Sequence, residues 1–458
     1  MRSDRWIWWV YLGGSFFLLF FNLWGRTLEN HDYLKYSEVA KEMIQSKNWI
    51  VPRLNGEIYL HKPPLLFWLI AITSKIYGSV TPFLARMPSA FFAWIGGLIV
   101  YLWGKRIWGS ERLGFISGGI LISSYLYFWQ GRIARTDMLF SVLILLSLYF
   151  FYFGEQNSGM KYRLLTILSF IFMALAGLTK GPVGILFPLL IIFLFQLTQR
   201  RWKILFQKEF ILGYMTICFI LGLWIVSFFY QVDWETAVRA WEESKVLTRS
   251  DPFYIYFYRL WIDFIPWSVF LPSLFIQLWK KEKNQEEIFL ILWFLSLFIL
   301  LTLFPYRASR YLLPAFPALA LLMGGFWRGR SSFLFLMIFL AALMSWHGYE
   351  FFLIKKNEIK TTGPFLFHEL SPYQEELLLA YQMDEAILEK INFYGDKLIP
   401  QIRKIEELKE KIQDREEVYI ITSEKGLKNL IDRGISVIPI KKINDRNKPF
   451  MVIKIQGL

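Results

Sequence analysis

The 458-residue sequence predicts an all-α polytopic membrane protein of about eleven transmembrane helices, carrying a small α/β unit at its C-terminal end. Three observations predict it. Of the residues, 55% are hydrophobic and 19% aromatic, with a mean hydropathy of +0.37. Apolar runs of roughly 17 to 22 residues recur along the chain, about what the hydrocarbon core of a bilayer requires. Several runs, including Leu139 to Phe153, Gly184 to Leu197 and Ile288 to Phe304, are apolar on every helical face, which a helix at a water surface is not.

The first span, 6–25, follows Arg2 and Arg5, and no small-residue cleavage pattern follows Trp24, so it reads as a retained signal anchor with a cytoplasmic N-terminus. The others are expected at 82–103, 114–129, 137–153, 164–179, 182–198, 210–230, 263–279, 288–304, 311–327 and 331–350. Leu65 to Tyr77 is apolar but short, and counting it would reverse every later loop, so it is expected to lie in the interface. Alternate short loops then collect the positive charge: Lys105, Arg106 and Arg112; Lys161 and Arg163; Arg200, Arg201, Lys203 and Lys208; Lys280, Lys281 and Lys283; Arg328 and Arg330. Cytoplasmic loops are enriched in this way. Long loops 26–62 and 231–262 are then extracytoplasmic, as is the region after 354, in a cytoplasmic (inner) membrane protein with periplasmic external parts.

Residues 355–458 read as a small soluble unit beside a transmembrane domain of 1–354. Its strand-like runs are Leu377 to Tyr381, Val418 to Thr422, Val437 to Ile440 and Phe450 to Ile455, and its helical stretch is Ile402 to Gln413. The net charge of +14 is spread by topology instead of gathered in a patch, which argues for membrane lipids and against nucleic acid as a partner. The single cysteine, Cys218, offers no disulfide.

Candidate chemistry concentrates on the external side. Tyr36, Val39, Ala40, Met43 and Ile44 recur at three and four, so Tyr33 to Ser46 is expected to form an amphipathic surface helix with Asp32 at its N-terminus. There the helix dipole would keep a carboxylate ionised, as a general base needs, although Asp is also a common N-cap. Asp137, at a span end, is either a second catalytic carboxylate or a structural one held by Arg135. Lys62 is made rigid by the two prolines after it, and with Arg53, Lys180, Arg307 and Arg310 it supplies cations suited to phosphate, where the alternative is headgroup snorkelling. His61 raises a metal, but neither His31, His347 nor His368 makes a recognisable second ligand, so no metal site is assigned.

Together these segments resemble a known family. Asp32-Tyr-Leu-Lys-Tyr36-Ser-Glu-Val-Ala, Trp49-Ile-Val-Pro-Arg53-Leu-Asn-Gly56, His61-Lys-Pro-Pro-Leu-Leu-Phe-Trp68 and Ala85-Arg86-Met-Pro-Ser89 are similar to the opening of the family 39 glycosyltransferases, which include protein O-mannosyltransferases and the aminoarabinose transferase acting on lipid A. Arg135-Thr-Asp137-Met, Gly177-Leu-Thr-Lys180-Gly-Pro182, Asp251-Pro-Phe-Tyr254, Pro266-Trp-Ser268 and Ser309-Arg310-Tyr311-Leu-Leu-Pro-Ala-Phe-Pro317 continue the likeness in order to about residue 330.

The resemblance implies a C-type glycosyltransferase fold and inverting transfer of a sugar from a polyprenyl-phosphate carrier to an extracytoplasmic acceptor, whether lipid A-like glycolipid, glycan or protein. It makes Asp32 the catalytic carboxylate and Asp137 the second acid. Lys62, Lys180 and Arg310, with Arg53 and Tyr311, become carrier-phosphate contacts. The chain departs from the family pattern at Tyr33, where a second acid is usual, at His61, where a Glu is common, and at Leu247-Thr-Arg249-Ser-Asp251, where a histidine is expected. No zinc is therefore carried across. The competing class is a non-catalytic lipid or sugar-lipid flippase whose loop charges only bind headgroups. Against it stand the absence of charge from the middle of most spans and of a broken-helix pair suggesting a translocation path.

Overall fold

Long runs of Leu, Phe and Ile leave the backbone no partner but itself in hydrocarbon, and the chain answers with helices. The computed structural model describes residues 5–25, 27–28, 31–244, 251–280, 282–358, 363–373, 378–395, 399–413, 417–445 and 448–456. Lys281, Leu377 and residues 247–250 lie outside that set, as does the side chain of His31. The described chain forms two compact units, Met1–Leu23, Leu60–Thr73 and Phe83–Gly348 in one, and Trp24–Tyr59, Ser74–Pro82 and Tyr349–Leu458 in the other.

Among the described residues of the first unit six helices are long and apolar enough to cross a membrane: Pro82–Trp108, Thr136–Glu155, Gly159–Lys180, Lys208–Gln231, Gln285–Leu303 and Ser332–Lys355, the last running on past Gly348. Ile255–Asp263 and Trp267–Lys280 form an apolar pair bent by 112°, the geometry of a broken span or a re-entrant loop. Trp6–Phe20, Leu65–Lys75 and Val183–Thr198 are apolar but shorter. At 1.5 Å per residue the Leu65–Lys75 helix is only about 16 Å long, half of what a span needs.

Three segments expected as continuous spans are interrupted. The run 114–129 breaks at Ser124, which is extended (φ −67°, ψ 136°), between Glu111–Ser123 and Tyr125–Gly131. The run 263–279 is instead one arm of the bent pair, with Pro266 in its corner, so a broken helix is present where the sequence suggested none. The run 311–327 is a 3-10 helix, Ser309–Ala315, followed by Phe316–Phe326, because Pro314 and Pro317 cannot donate to an α-helical ladder. Two of these breaks satisfy each other. Tyr125 N–H donates to the Ile265 carbonyl (3.0 Å), Trp267 Nε1–H to Ser123 Oγ (2.9 Å), and Trp346 Nε1–H to the Ser123 carbonyl (2.9 Å). Periodicity counts apolar residues and does not register two such gaps closing on one another.

Buried arginines close the end of the first helix. Arg132 donates to the carbonyls of Leu18 (3.2 Å), Leu19 (2.7 Å) and Phe21 (2.6 Å), and Arg86 to Leu23 (3.0 Å). Cations favour a helix C-terminus, and here they also satisfy carbonyls that have no intrahelical partner.

The second unit joins the first loop to the C-terminal segment. It holds the His31–Ser46 helix, in which every residue from 36 to 43 is buried where the sequence suggested an amphipathic helix on a surface, and a hairpin of β1 (Arg53–Leu54) and β2 (Glu57–Ile58) turned by Asn55 (φ 56°) and Gly56 (φ 82°), both in the left-handed region that an Asn-Gly turn uses. Its five-stranded sheet comprises β3 (Leu378–Tyr381), β4 (Gln401–Ile402), β5 (Glu417–Ser423), β6 (Val437–Asp445) and β7 (Lys448–Gln456) in the order β4-β3-β5-β7-β6. The pairs β3–β4 and β3–β5 are parallel, and β7 runs antiparallel to β5 and β6. Apolar side chains pack on both faces, Leu378, Ala380, Ile421 and Val452 on one and Leu379, Tyr381, Ile420 and Ile453 on the other. Buried Lys41 donates to the carbonyls of Asn392 (2.8 Å) and Phe393 (3.0 Å) near the end of the Glu385–Gly395 helix, and Lys35 pairs with Glu389 at 3.8 Å.

Candidate functional site

The first unit gathers charge around Asp137. This residue sits in the first turn of the Thr136–Glu155 helix, is only 3% exposed, and receives three cations. Lys180 Nζ reaches Oδ1 at 2.5 Å, while Arg310 Nε and Arg135 Nε approach Oδ2 at 3.6 and 3.8 Å. Local sequence explains each placement. Lys180 ends its helix because Gly181 takes φ +76°, a conformation that side chains disfavour, and Pro182 then opens the next segment. Arg310 and Tyr311 project from the proline-set 3-10 turn, where Tyr311 N–H bonds the Ala308 carbonyl at 2.9 Å. The pairing with Arg135 expected for a structural Asp137 is present, joined by two cations that lie 43 and 173 positions away in sequence.

Among the described residues, three cations thus converge on this one carboxylate in a mostly buried place. Such a group favours an anion. It also stands against an apolar cavity of about 270 Å³, which Lys62, Phe140, Lys180, Val183, Phe187 and Tyr311 help to line. A second cavity, about 510 Å³, takes in His61, Lys62, Lys180, Trp224, Trp234 and Trp241. Lys62 and Lys180 face both. Aromatic rings steady the cations: Lys180 Nζ lies 4.8 Å from the Phe140 centroid and 5.3 Å from that of Tyr311, and Arg310 stacks at 5.2 Å on Tyr311.

Lys62, Asp137, Lys180, Arg310 and Tyr311 are thus brought into one neighbourhood. Arg307 serves the backbone instead, donating to Thr302 (3.0 Å) and Asp251 (3.4 Å) carbonyls. Asp32 and Arg53 belong to the second unit. Half-buried Asp32 lies in the first turn of the His31–Ser46 helix, as its sequence position suggested. Burial first, then the neighbourhood of Tyr36 and the charges of Asp32 and Glu389, push the Tyr59 hydroxyl well above its ordinary pKa. Arg53 closes its own hairpin, Nη1 donating to the Gly56 carbonyl at 2.9 Å.

Sequence reading missed the aromatic wall formed by Trp224, Trp234 and Trp241, and the buried Glu42 that accepts the Asn55 (2.5 Å) and Gly56 (3.0 Å) amides. The Trp234–Ser244 helix had a signal: Asp233 precedes it and caps it, accepting the Thr236 N–H at 2.8 Å. Glu42 had none. His61 lines the second cavity, and among the described residues no group of three or more His, Cys, Asp or Glu side chains is disposed to hold a metal ion. Among the described residues the donor set does not fit a metal.

Fold and site together define a multi-pass membrane protein of the C-type glycosyltransferase fold. Over 99% of this chain and 98% of that one, it superposes on the crystal structure of ArnT from Cupriavidus metallidurans in the apo state, with a TM-score of 0.82 at 16% identity, and on the undecaprenyl phosphate-bound form with 0.78. Residues 21–242 match the family model described as Dolichyl-phosphate-mannose-protein mannosyltransferase, and the resemblance to the family 39 glycosyltransferases is borne out. An "Uncharacterized protein" of Aquifex aeolicus (strain VF5) is 31% identical over 319 residues, covering 69% of this chain and 62% of its own length. The Undecaprenyl phosphate-alpha-4-amino-4-deoxy-L-arabinose arabinosyl transferase 1 of Pseudomonas fluorescens (strain Pf0-1) is 27% identical over 303 residues, 64% of this chain and 52% of that protein. The chain therefore spans between about half and three fifths of the length of the curated relatives it matches.

Proposed function

We propose that this chain is an integral membrane glycosyltransferase that moves a sugar from a polyprenyl-phosphate carrier to an extracytoplasmic acceptor, inverting the anomeric centre. One observation carries this reading: a cluster of cations gathered on a buried carboxylate and set against an apolar cavity that Lys62 and Lys180 line. A lipid phosphate has that chemistry, an anion joined to a hydrocarbon tail. Lys62, Lys180 and Arg310 receive the phosphate, Tyr311 steadies the cations through its ring, and Arg53 is a further contact. Asp137 is the counter-ion that holds Lys180, Arg310 and Arg135 at fixed positions.

Asp32 is the catalytic carboxylate. An acceptor hydroxyl attacks the anomeric carbon as the bond from that carbon to the phosphate oxygen breaks; the phosphate leaves with the electron pair and the hydroxyl proton passes to Asp32. Were the acceptor a phosphate, already ionised near neutral pH, Asp32 would position it. The acceptor class is a lipid A-like glycolipid, a glycan or a protein hydroxyl. The reaction takes place outside the cytoplasmic membrane, with 1–354 as the transmembrane domain and 355–458 as an external C-terminal domain.

The test is turnover by the purified full chain in nanodiscs, given radiolabelled polyprenyl-phosphate sugar and each acceptor class. Release of polyprenyl phosphate with label passing to acceptor is expected. Redistribution of labelled lipid between leaflets without release would identify a flippase instead.

A further inference from the structure

A second site lies at the other end of the helix that lines the carrier cavity. Leu300 and Leu301 of the Gln285–Leu303 helix face that cavity, whereas Glu287 and, in an adjoining hollow, Ile291, Phe294 and Leu295 line two different ones. Thirteen residues separate Glu287 from Leu300, roughly 20 Å along a helix. One hollow, about 360 Å³, is polar, with Gln277, Glu287, Arg328 and Arg330 in its wall. Its neighbour, about 520 Å³, is walled by Phe275, Trp279, Ile291, Phe294 and Leu295, with Lys283 as its cation. Leu278 and Leu322 line both, so the two adjoin.

The charges are ordered. Arg328 Nη2 donates to the Trp108 carbonyl (3.2 Å) and its guanidinium lies 6.0 Å from the Trp108 ring, while Arg330 donates to the Phe326 carbonyl and stacks at 3.5 Å on the Phe326 ring. Among the described residues neither arginine is ion-paired, so each fork keeps N–H donors for an outside anion. Lys283, Arg328 and Arg330 against Glu287 leave a formal excess of two positive charges. A scatter of snorkelling side chains would not need a walled polar hollow opening into an apolar one.

We infer that this pair of hollows binds one anionic glycerophospholipid, its phosphate headgroup on Arg328 and Arg330 and an acyl chain in the apolar groove, distinct from the sugar carrier. Charge complementarity selects the headgroup, and the shared leucines make headgroup and chain sites continuous. Each cation near an anionic lipid headgroup is worth roughly fivefold in binding.

Native mass spectrometry of the detergent-purified full chain, titrated with phosphatidylglycerol or phosphatidylcholine, tests this. Phosphatidylglycerol is expected to bind at least tenfold tighter, and the Arg328→Gln/Arg330→Gln variant to lose most of that preference. Leu322→Trp, which fills the junction without touching charge, is expected to weaken both lipids. Glycerol phosphate at the same concentration should not displace the lipid. Equal affinity for both lipids in the wild type, preference retained in the double variant, or displacement by glycerol phosphate would overturn the inference. Sugar-carrier binding measured in the same titrations separates this site from that of the proposed transferase.

Discussion

Replacing Asp137 by Asn separates a counter-ion from a residue that acts on substrate. The carboxylate is 3% exposed and meets cations at 2.5, 3.6 and 3.8 Å. With an effective dielectric of about 20, unit charges at those distances attract by roughly 7, 5 and 4 kcal/mol before desolvation is counted. Burying the ions offsets most of this, and removing one partner of a buried ionic group costs about 3–5 kcal/mol because uncompensated charge is left behind. Asp137→Asn is thus expected to lower stability by about that amount, since Lys180 and Arg310 then repel each other. Removing a cation as well relieves the repulsion, so Asp137→Asn/Lys180→Met should be more stable than the sum of its single changes predicts, by about 1–3 kcal/mol. The assay is SDS-induced unfolding of the purified chain followed by tryptophan fluorescence, with transfer measured in parallel. An Asp137→Asn variant that unfolds like wild type while transfer is lost, with additive double-variant energies, would refute the counter-ion role.

Further outcomes are expected. Asp32→Asn should abolish transfer while leaving unfolding and carrier binding as in wild type; near-normal turnover would remove Asp32 from catalysis. Lys62→Met should weaken polyprenyl-phosphate binding by roughly 10- to 100-fold, the worth of one charged hydrogen bond, measured by displacement of a fluorescent carrier analogue. Arg132→Met strips three carbonyl bonds from the end of the first helix and should cost about 3 kcal/mol in the same SDS titration. Glu42 gives a pH signature. Burial raises its pKa above the ordinary 4.5, against the lowering pull of the Gly56 and Asn55 amides, Arg53 and Lys41. Because the folded value lies above the unfolded one, the stabilising contribution is complete below pH 4.5 and is lost as pH rises through the raised value. Melting curves of wild type and Glu42→Gln between pH 4 and 8 should differ in that slope, and parallel curves would contradict it.

The Asp32 position and the Lys62-Pro63-Pro64 segment were legible because each depends on near neighbours: a carboxylate at a helix start, a lysine locked by two prolines. The C-terminal strands were legible too, since β5 and β7 carry their apolar pattern locally, whereas two-residue β4 is too short to leave one. The buried helix and the hairpin of the first loop share a unit with the C-terminal sheet through contacts such as Asn392 Nδ2 to Asn55 Oδ1 at 2.7 Å. Those two residues stand 337 positions apart, and no local pattern links them.

Membrane character, the run of helical segments and the cation-rich inventory follow from composition, because hydrocarbon demands long apolar stretches whose backbones satisfy themselves wherever they occur. Which cations surround Asp137, which breaks in the helices close on each other, and which loop joins the C-terminal sheet depended on packing between distant segments. Charge and hydrogen bonding act over a few ångströms in space, and separation along the chain says little about that distance.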